Sequence, residues 1–118
     1  WGGIAGLQLC LPVSWTAMQS SVTLESFIPM LTEGPAHFLK VADRKGFIRE
    51  GADADLCVWD PEASFVVNEQ QLYHKHKASP YQGSTLTGIV QETIVHGKPV
   101  WNGSNIIHLN AGTWLLRK

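Results

Sequence analysis

The sequence predicts an α+β fold in which short helices come first and strands follow. Two observations set that order. Between Val13 and Lys40 apolar side chains recur at helical spacing, punctuated by Pro29 and Gly34-Pro35. From Lys45 onward they come in short runs of β-branched and aromatic residues, or alternate with polar ones, between turn residues. A third observation concerns extent: the pattern is already under way at Trp1, with no initiator methionine or targeting segment, as expected of a piece of something longer.

The 118 residues suffice for one modest domain with a single core, and 44% apolar with 16% charged residues is a globular composition. A net charge of −1 gives no electrostatic basis for binding nucleic acid or an anionic membrane. No apolar run approaches the roughly 20 residues of a membrane span. Cys10 and Cys57, without a secretion signal, read as reduced, buried thiols. Five tryptophans call for a substantial apolar core.

Trp1 to Gln8 opens with glycines at 2, 3 and 6. Such a loop either brings backbone amides close to a ligand or packs tightly under a helix. Pro12 limits any helix before it, and Val13–Gln19 reads as a short helix. Thr23 is a good N-cap for the next one, with Glu25 in the first turn where the helix dipole favours an anion. Phe27, Ile28, Met30 and Leu31 form its buried stripe; Pro29 within it implies a kink or a later start. Gly34-Pro35 breaks that helix, and Pro35 suits the first position of another running to Leu39 or Lys40. Ala36, Phe38 and Leu39 are its expected core face, and His37 reads as a surface or structural histidine.

The stretch Lys45–Pro61 reads as two short strands around a tight polar turn, with Phe47-Ile48 opening an apolar segment and Gly51 free to take a positive φ. Leu56-Cys57-Val58-Trp59 is apolar at four successive positions, which implies a strand covered on both faces and ended by Asp60-Pro61. Ser64–Val67 is a further strand, followed by a polar segment, Asn68–Gly83. Between Gly88 and His96 two faces alternate, Ile89, Gln91, Thr93 and Val95 against Val90, Glu92, Ile94 and His96, one of them the wetter. His96-Gly97-Lys98-Pro99 is a hairpin signal, and Asn102-Gly103 ends the returning strand. Asn105–Leu116 is less regular, and Lys118 reads as a true terminus.

Chemistry is sparse. No nucleophile elbow surrounds the serines or cysteines, and no phosphate loop is present. Asp53 and Asp55 read as turn and strand-entry residues whose carboxylates satisfy local amides, in preference to an acid–base pair. His74-Lys75-His76 would place two imidazoles on one side of a strand, but it lies among Glu69, Gln70, Gln71, Lys75 and Lys77 and not after an apolar β run.

The pattern from Lys45-Gly46 through Gly51-Ala52-Asp53-Ala54-Asp55-Leu56 to Trp59-Asp60-Pro61 resembles the closing β segment of the cyclic amidohydrolases: dihydropyrimidinases, dihydroorotases, hydantoinases and allantoinases. Trp1 to Leu9 with Pro12-Val13 and Trp15-Thr16 resembles the allantoinases in particular. So does His74-Lys75-His76-Lys77 with Ser79-Pro80-Tyr81, Gly83 and Leu86, while Ile94, Gly97, Pro99-Val100, Asn102-Gly103 and Gly112 fit the closing hairpin and tail. The resemblance covers essentially the whole chain. It implies that residues 1–44 hold the last one or two helices of a TIM-type (β/α)8 barrel, and that residues 45–118 hold strands of a small composite β-sandwich with its tail. It implies hydrolysis of the allantoin ring to allantoate, with two divalent metal ions, zinc by analogy, activating a water. Backbone groups of Gly2, Gly3 and Ile4 would line the substrate pocket. It further implies a homo-oligomer, a tetramer; the sequence leaves the compartment open among cytoplasm, peroxisome and mitochondrion.

By the same resemblance the barrel HxH, the bridging lysine, the later metal histidines and the catalytic aspartate all fall outside this sequence. His74 and His76 are not that HxH, so no catalytic or metal-ligating residue is expected here, and the chain alone is expected to be inactive. Two classes of function remain: part of an allantoinase (or of a dihydropyrimidinase, hydantoinase or dihydroorotase), or a non-enzymatic β-rich interaction module derived from an amidohydrolase. With the faces of Leu56, Val58, Ile94 and Val100 uncovered, the isolated chain is expected to be marginally stable, to associate or to be partly molten.

Overall fold

A computed structural model describes residues 3–115. They form helices α1 (Cys10–Met18), α2 (Leu24–Leu31) and α3 (Glu33–Phe38), and strands β1 (Leu56–Val66), β2 (Thr85–Val95) and β3 (Lys98–Trp101). The strands make one antiparallel sheet in the order β1-β2-β3. This is the expected α+β class with the expected helix-then-strand order. The chain divides into two compact units: the described part of Trp1–Val22 with Asp60–Ile89, and Thr23–Trp59 with the described part of Val90–Lys118. Among the described residues no helix is long and apolar enough to cross a membrane.

The first unit is built on Leu9, Val67, Leu72 and Leu86, with Val13, Phe65 and Tyr81 packed against them. Helix α1 starts at Cys10, three residues earlier than expected, after a single 3₁₀ turn over Leu7–Leu9. Pro12 does not delay it, because a proline at the third helical position lacks only an N–H that has no intrahelical partner. The buried Trp15 indole donates to the Pro61 carbonyl at 2.8 Å. Thr16 Oγ1 accepts from the Thr87 amide at 2.8 Å and donates to the Pro12 carbonyl at 2.6 Å. These two side chains tie α1 to both long strands within this unit.

Strand β1 does not end at Asp60-Pro61; it runs on to Val66 and merges the two strands expected on either side. Among the described residues β1 lies at an edge of the sheet, where a proline removes no ladder bond on its outer side. Asp60 Oδ1 instead accepts the Glu62 and Ala63 amides at 2.9 and 3.1 Å, a local turn within the strand. Beyond it, Asn68 caps a 3₁₀ turn over Glu69–Gln71 by accepting from the Gln70 amide at 3.0 Å, and Leu72 drops into the core.

In the second unit α2 begins directly after Thr23 and runs through Pro29, so the later start does not occur. Of its expected stripe only Phe27 is buried, 1% exposed and 6.5 Å from the Trp59 ring; Ile28 and Met30 are exposed. Helix α3 begins at Glu33, which leaves Pro35 at its third position. Of its expected core face Ala36 is buried, but Phe38 is 86% exposed and Leu39 is also exposed, because so short a helix buries only the side that meets Gly46. His37 is a surface residue, edge-on to the Phe47 ring at 5.8 Å. Phe47 also carries the Arg49 guanidinium 5.1 Å over its face.

No strand forms at Phe47-Ile48, and Ile48 is 92% exposed. Cys57 and Val58 are also exposed, so Leu56–Trp59 is not covered on both faces as its unbroken apolar run implied; both cysteines are free and neither is buried. On β2 only Gln91 of the wetter face is fully exposed, and the residues on either side of it are half-buried on both faces. The hairpin forms as expected. His96 and Gly97 take positive φ of 49° and 74°, Val95 pairs with Lys98, and a bulge follows between Thr93 and Ile94. Asn102 ends β3, its side chain accepting the Ser104 and Asn105 amides.

The Lys45–Asp55 segment is held by charge. Asp53 pairs with Arg44 and with Lys45, each at 2.9 Å, and Lys45 also pairs with Asp55. Asp55 Oδ1 accepts the His96 amide at 2.8 Å, and the Gly97 amide reaches the Ala54 carbonyl at 2.9 Å. The Asp55 carboxylate therefore serves the hairpin turn 41 residues away and not a local amide, a correction to the turn reading. Hydrogen bonds from Lys45 and Arg44 hold the Asp53 carboxyl below its ordinary 3.8. Burial pushes Asp55 up, but the Lys45 and His96 hydrogen bonds outweigh it and leave it below 3.8 as well. Burial likewise pushes Lys45 down, and the two carboxylates hold it above its ordinary 10.5.

Both carboxylates thus stabilise the fold above pH 3.8, and that contribution is lost as pH falls through their lower folded values. The Lys45 contribution is complete below pH 10.5 and is lost as pH rises through its higher folded value. Urea midpoints measured against pH are expected to fall on both limbs. Asp55→Asn, which keeps an acceptor for the His96 amide but no charge, is expected to flatten the acid limb; an unaltered limb would contradict the network's role.

Candidate functional site

The first unit carries an open cleft of about 840 Å³. One wall is the loop entering α1, with Gly3, Ile4 and Ala5; the other is the segment after Leu72, with His76, Ala78, Ser79 and Pro80. Gly3 sits at φ 120°, a backbone region that side chains rarely adopt, and no atom lies within 4 Å of where a Cβ would point. The loop then closes on itself: the Gly6 amide reaches the Ile4 carbonyl and the Leu9 amide the Gly6 carbonyl, each at 3.0 Å.

A glutamine side chain joins the walls. Gln8 Nε2 donates to the Gln71 carbonyl at 2.8 Å, and its Oε1 accepts the Tyr73 amide at 2.9 Å. The far wall is braced further by the Lys77 ammonium on the Leu72 carbonyl, and by Ser79 Oγ, which accepts the Tyr81 amide at 3.2 Å. Tyr81 in turn packs on the core. A surface segment with little regular structure is thereby held at fixed distance from the glycine loop.

Of the residues expected at a substrate pocket, Gly3 and Ile4 lie on this cleft, and Gly2 lies outside the described residues. His76 lines the same cleft, whereas His74 does not; its Nε2 is shut off from solvent with no hydrogen-bond partner among the described residues. The wall from Ala78 to Pro80 and the Gln8 clamp escape sequence reasoning. A lone amide side chain between Leu7 and Leu9 was the available signal. Asp53 and Asp55 are occupied by Arg44, Lys45 and the His96 amide, which leaves no free acid–base pair there.

Among the described residues the cleft offers mostly apolar walls, backbone groups, one imidazole and one hydroxyl. That set suits binding and orienting a small neutral molecule. The two metal ions that the resemblance implies do not fit the donors present: among the described residues no three His, Cys, Asp or Glu side chains gather where an ion could sit.

Comparison with known proteins gives a consistent family. Residues 5–101 match the model of the Amidohydrolase family. The chain is 39% identical over 119 residues to "Probable allantoinase 2" of Dictyostelium discoideum, covering 99% of this chain and 23% of that protein. It is 38% identical over 101 residues to "Allantoinase" of Streptomyces avermitilis, covering 85% and 22%. Among solved structures, the L-hydantoinase (dihydropyrimidinase) of Arthrobacter aurescens superposes with a TM-score of 0.82 at 30% identity, over 90% of this chain and 24% of that one. The chain thus spans about a quarter of the length of the curated relatives it matches.

Proposed function

Because this chain belongs to the amidohydrolase family, we propose that it is the C-terminal part of an allantoinase, a hydrolase that adds water across the ring amide of allantoin to give allantoate. The observation that carries the reading is the 39% identity to a probable allantoinase sustained over 99% of the chain. On this reading residues 1–44 close a (β/α)8 barrel and residues 45–118 belong to its small β-sandwich, in a homo-oligomer.

The glycine loop supplies binding and orientation. Backbone groups of Gly3 and Ile4, with Gly2 before them, meet the ring amide, and Gly3's open φ region lets the ring approach the main chain closely. Ile4 and Ala5 exclude water beside it. The groups that activate water and move its proton come from the rest of the enzyme, so residues 1–118 alone are expected to have no hydrolytic activity.

The test is the full-length protein assayed on allantoin, dihydroorotate and dihydrouracil. Allantoin is expected to be preferred by about a hundredfold or more in kcat/KM, the scale of discrimination available to a site that hydrogen-bonds a substrate's polar groups. Turnover of only the other two would overturn the assignment. A hydantoinase-type reading has its own support in the 0.82 TM-score to an L-hydantoinase, and preference for dihydrouracil would favour it.

A further inference from the structure

Resting on the allantoinase reading, we propose that His76 and Ser79 are specificity residues that bind the ureido arm of the substrate across from the glycine loop. Allantoin is a five-membered cyclic diamide bearing a urea substituent. With the ring amide met by the main chain at Gly3 and Ile4, the opposite wall of the cleft is the surface left to meet the arm. Among the described residues that wall presents Ala78 and Pro80, which cannot hydrogen-bond through their side chains, and two polar side chains, His76 and Ser79.

Their chemistry complements a urea. Ser79 Oγ already accepts the Tyr81 amide at 3.2 Å, so its O–H is the group left to turn outward, toward a carbonyl. The exposed His76 imidazole presents one N–H and one lone pair when neutral, and can accept from a urea N–H₂. The wall is pre-organised. Gln8 pins its start at the Gln71 carbonyl and Tyr73 amide, and Tyr81 anchors its end on the core. Cyclic amides without the arm, such as hydantoin, would leave both groups without a partner in the cleft.

The experiment uses the full-length protein and its His76→Ala, His76→Gln and Ser79→Ala variants. KM and kcat are measured for allantoin, and Ki for hydantoin as a competitive inhibitor lacking the arm. His76→Ala is expected to raise KM for allantoin about tenfold, the worth of one hydrogen bond, with kcat little changed and the hydantoin Ki unaltered. Ser79→Ala is expected to act likewise, and His76→Gln to recover part of the loss. An unchanged KM, or equal weakening toward allantoin and hydantoin, would overturn the specificity role while leaving the allantoinase reading intact. Absence of allantoin hydrolysis in the unmodified full-length protein would overturn that reading and this inference with it. Should His76→Ala fail to fold, His76→Gln and Ser79→Ala carry the same comparison.

Discussion

Replacing Gly46 with alanine is expected to cost the fold about 3 to 4 kcal/mol, enough to remove most of the stability of a small domain. Two costs add. Gly46 has φ 89°, where an L side chain is strained, and such strain is on the order of 1 to 3 kcal/mol. A Cβ at that position would also stand 2.7 Å from the Ala36 Cβ, 3.0 Å from the Thr32 carbonyl oxygen and 3.3 Å from the Glu33 Cα. Two of those three neighbours are backbone atoms and cannot turn aside, so α3 itself must move, at roughly 1 to 3 kcal/mol of overpacking. Gly51→Ala provides the control. Its φ of 85° is almost the same, but nothing lies within 4 Å of its Cβ position. Urea unfolding of the protein carrying each change should place Gly46→Ala well below Gly51→Ala. Equal midpoints would show that the packing of α3 against this glycine is unimportant.

Phe27→Ala is expected to cost about 3 to 5 kcal/mol, the usual range for deleting a fully buried aromatic ring. Phe27 is the only buried residue of α2, so the helix depends on it for attachment to its unit. The Trp59 ring, tilted 55° to it, would lose that contact and face a cavity. Phe27→Leu fills part of the space and should recover a substantial share. Thermal and urea denaturation would measure both, and a loss below about 1 kcal/mol for Phe27→Ala would mean that the site collapses freely around the missing ring.

Both predictions rest on positions that the sequence showed only in part. Phe27 was legible as a core residue because it sits on an apolar helical stripe, yet its partners Ile28 and Met30 on that stripe are exposed. Gly51 was legible as a turn glycine, and its positive φ follows from the polar run around it. Gly46 was not, since nothing beside it in the chain announces that α3 passes over it. His96-Gly97 was legible for the opposite reason: a two-residue hairpin is set by the residues in it and by the strands it joins directly. Pro61 misled, because a proline ends a strand only where a neighbour requires its N–H, and strand order is not written locally.

The candidate cleft divides in the same way. Its glycine-loop wall could be named from Gly3 and Ile4 through family resemblance alone. Its second wall could not, because Gln8 reaches groups 63 and 65 residues away to hold it there.

By itself, then, the sequence determined the α+β class, the helix-then-strand order and the hairpin, along with the family. Each of those depends on periodicity, backbone freedom or a run of residues in direct succession. Tertiary structure alone decided the length of β1, which members of the apolar stripes stay exposed, the pairing of Asp55 with the hairpin turn and the facing walls of the cleft. Those depend on hydrogen bonds and contacts between residues distant in the chain, and which of many such closures forms is settled only when the whole set can be satisfied together.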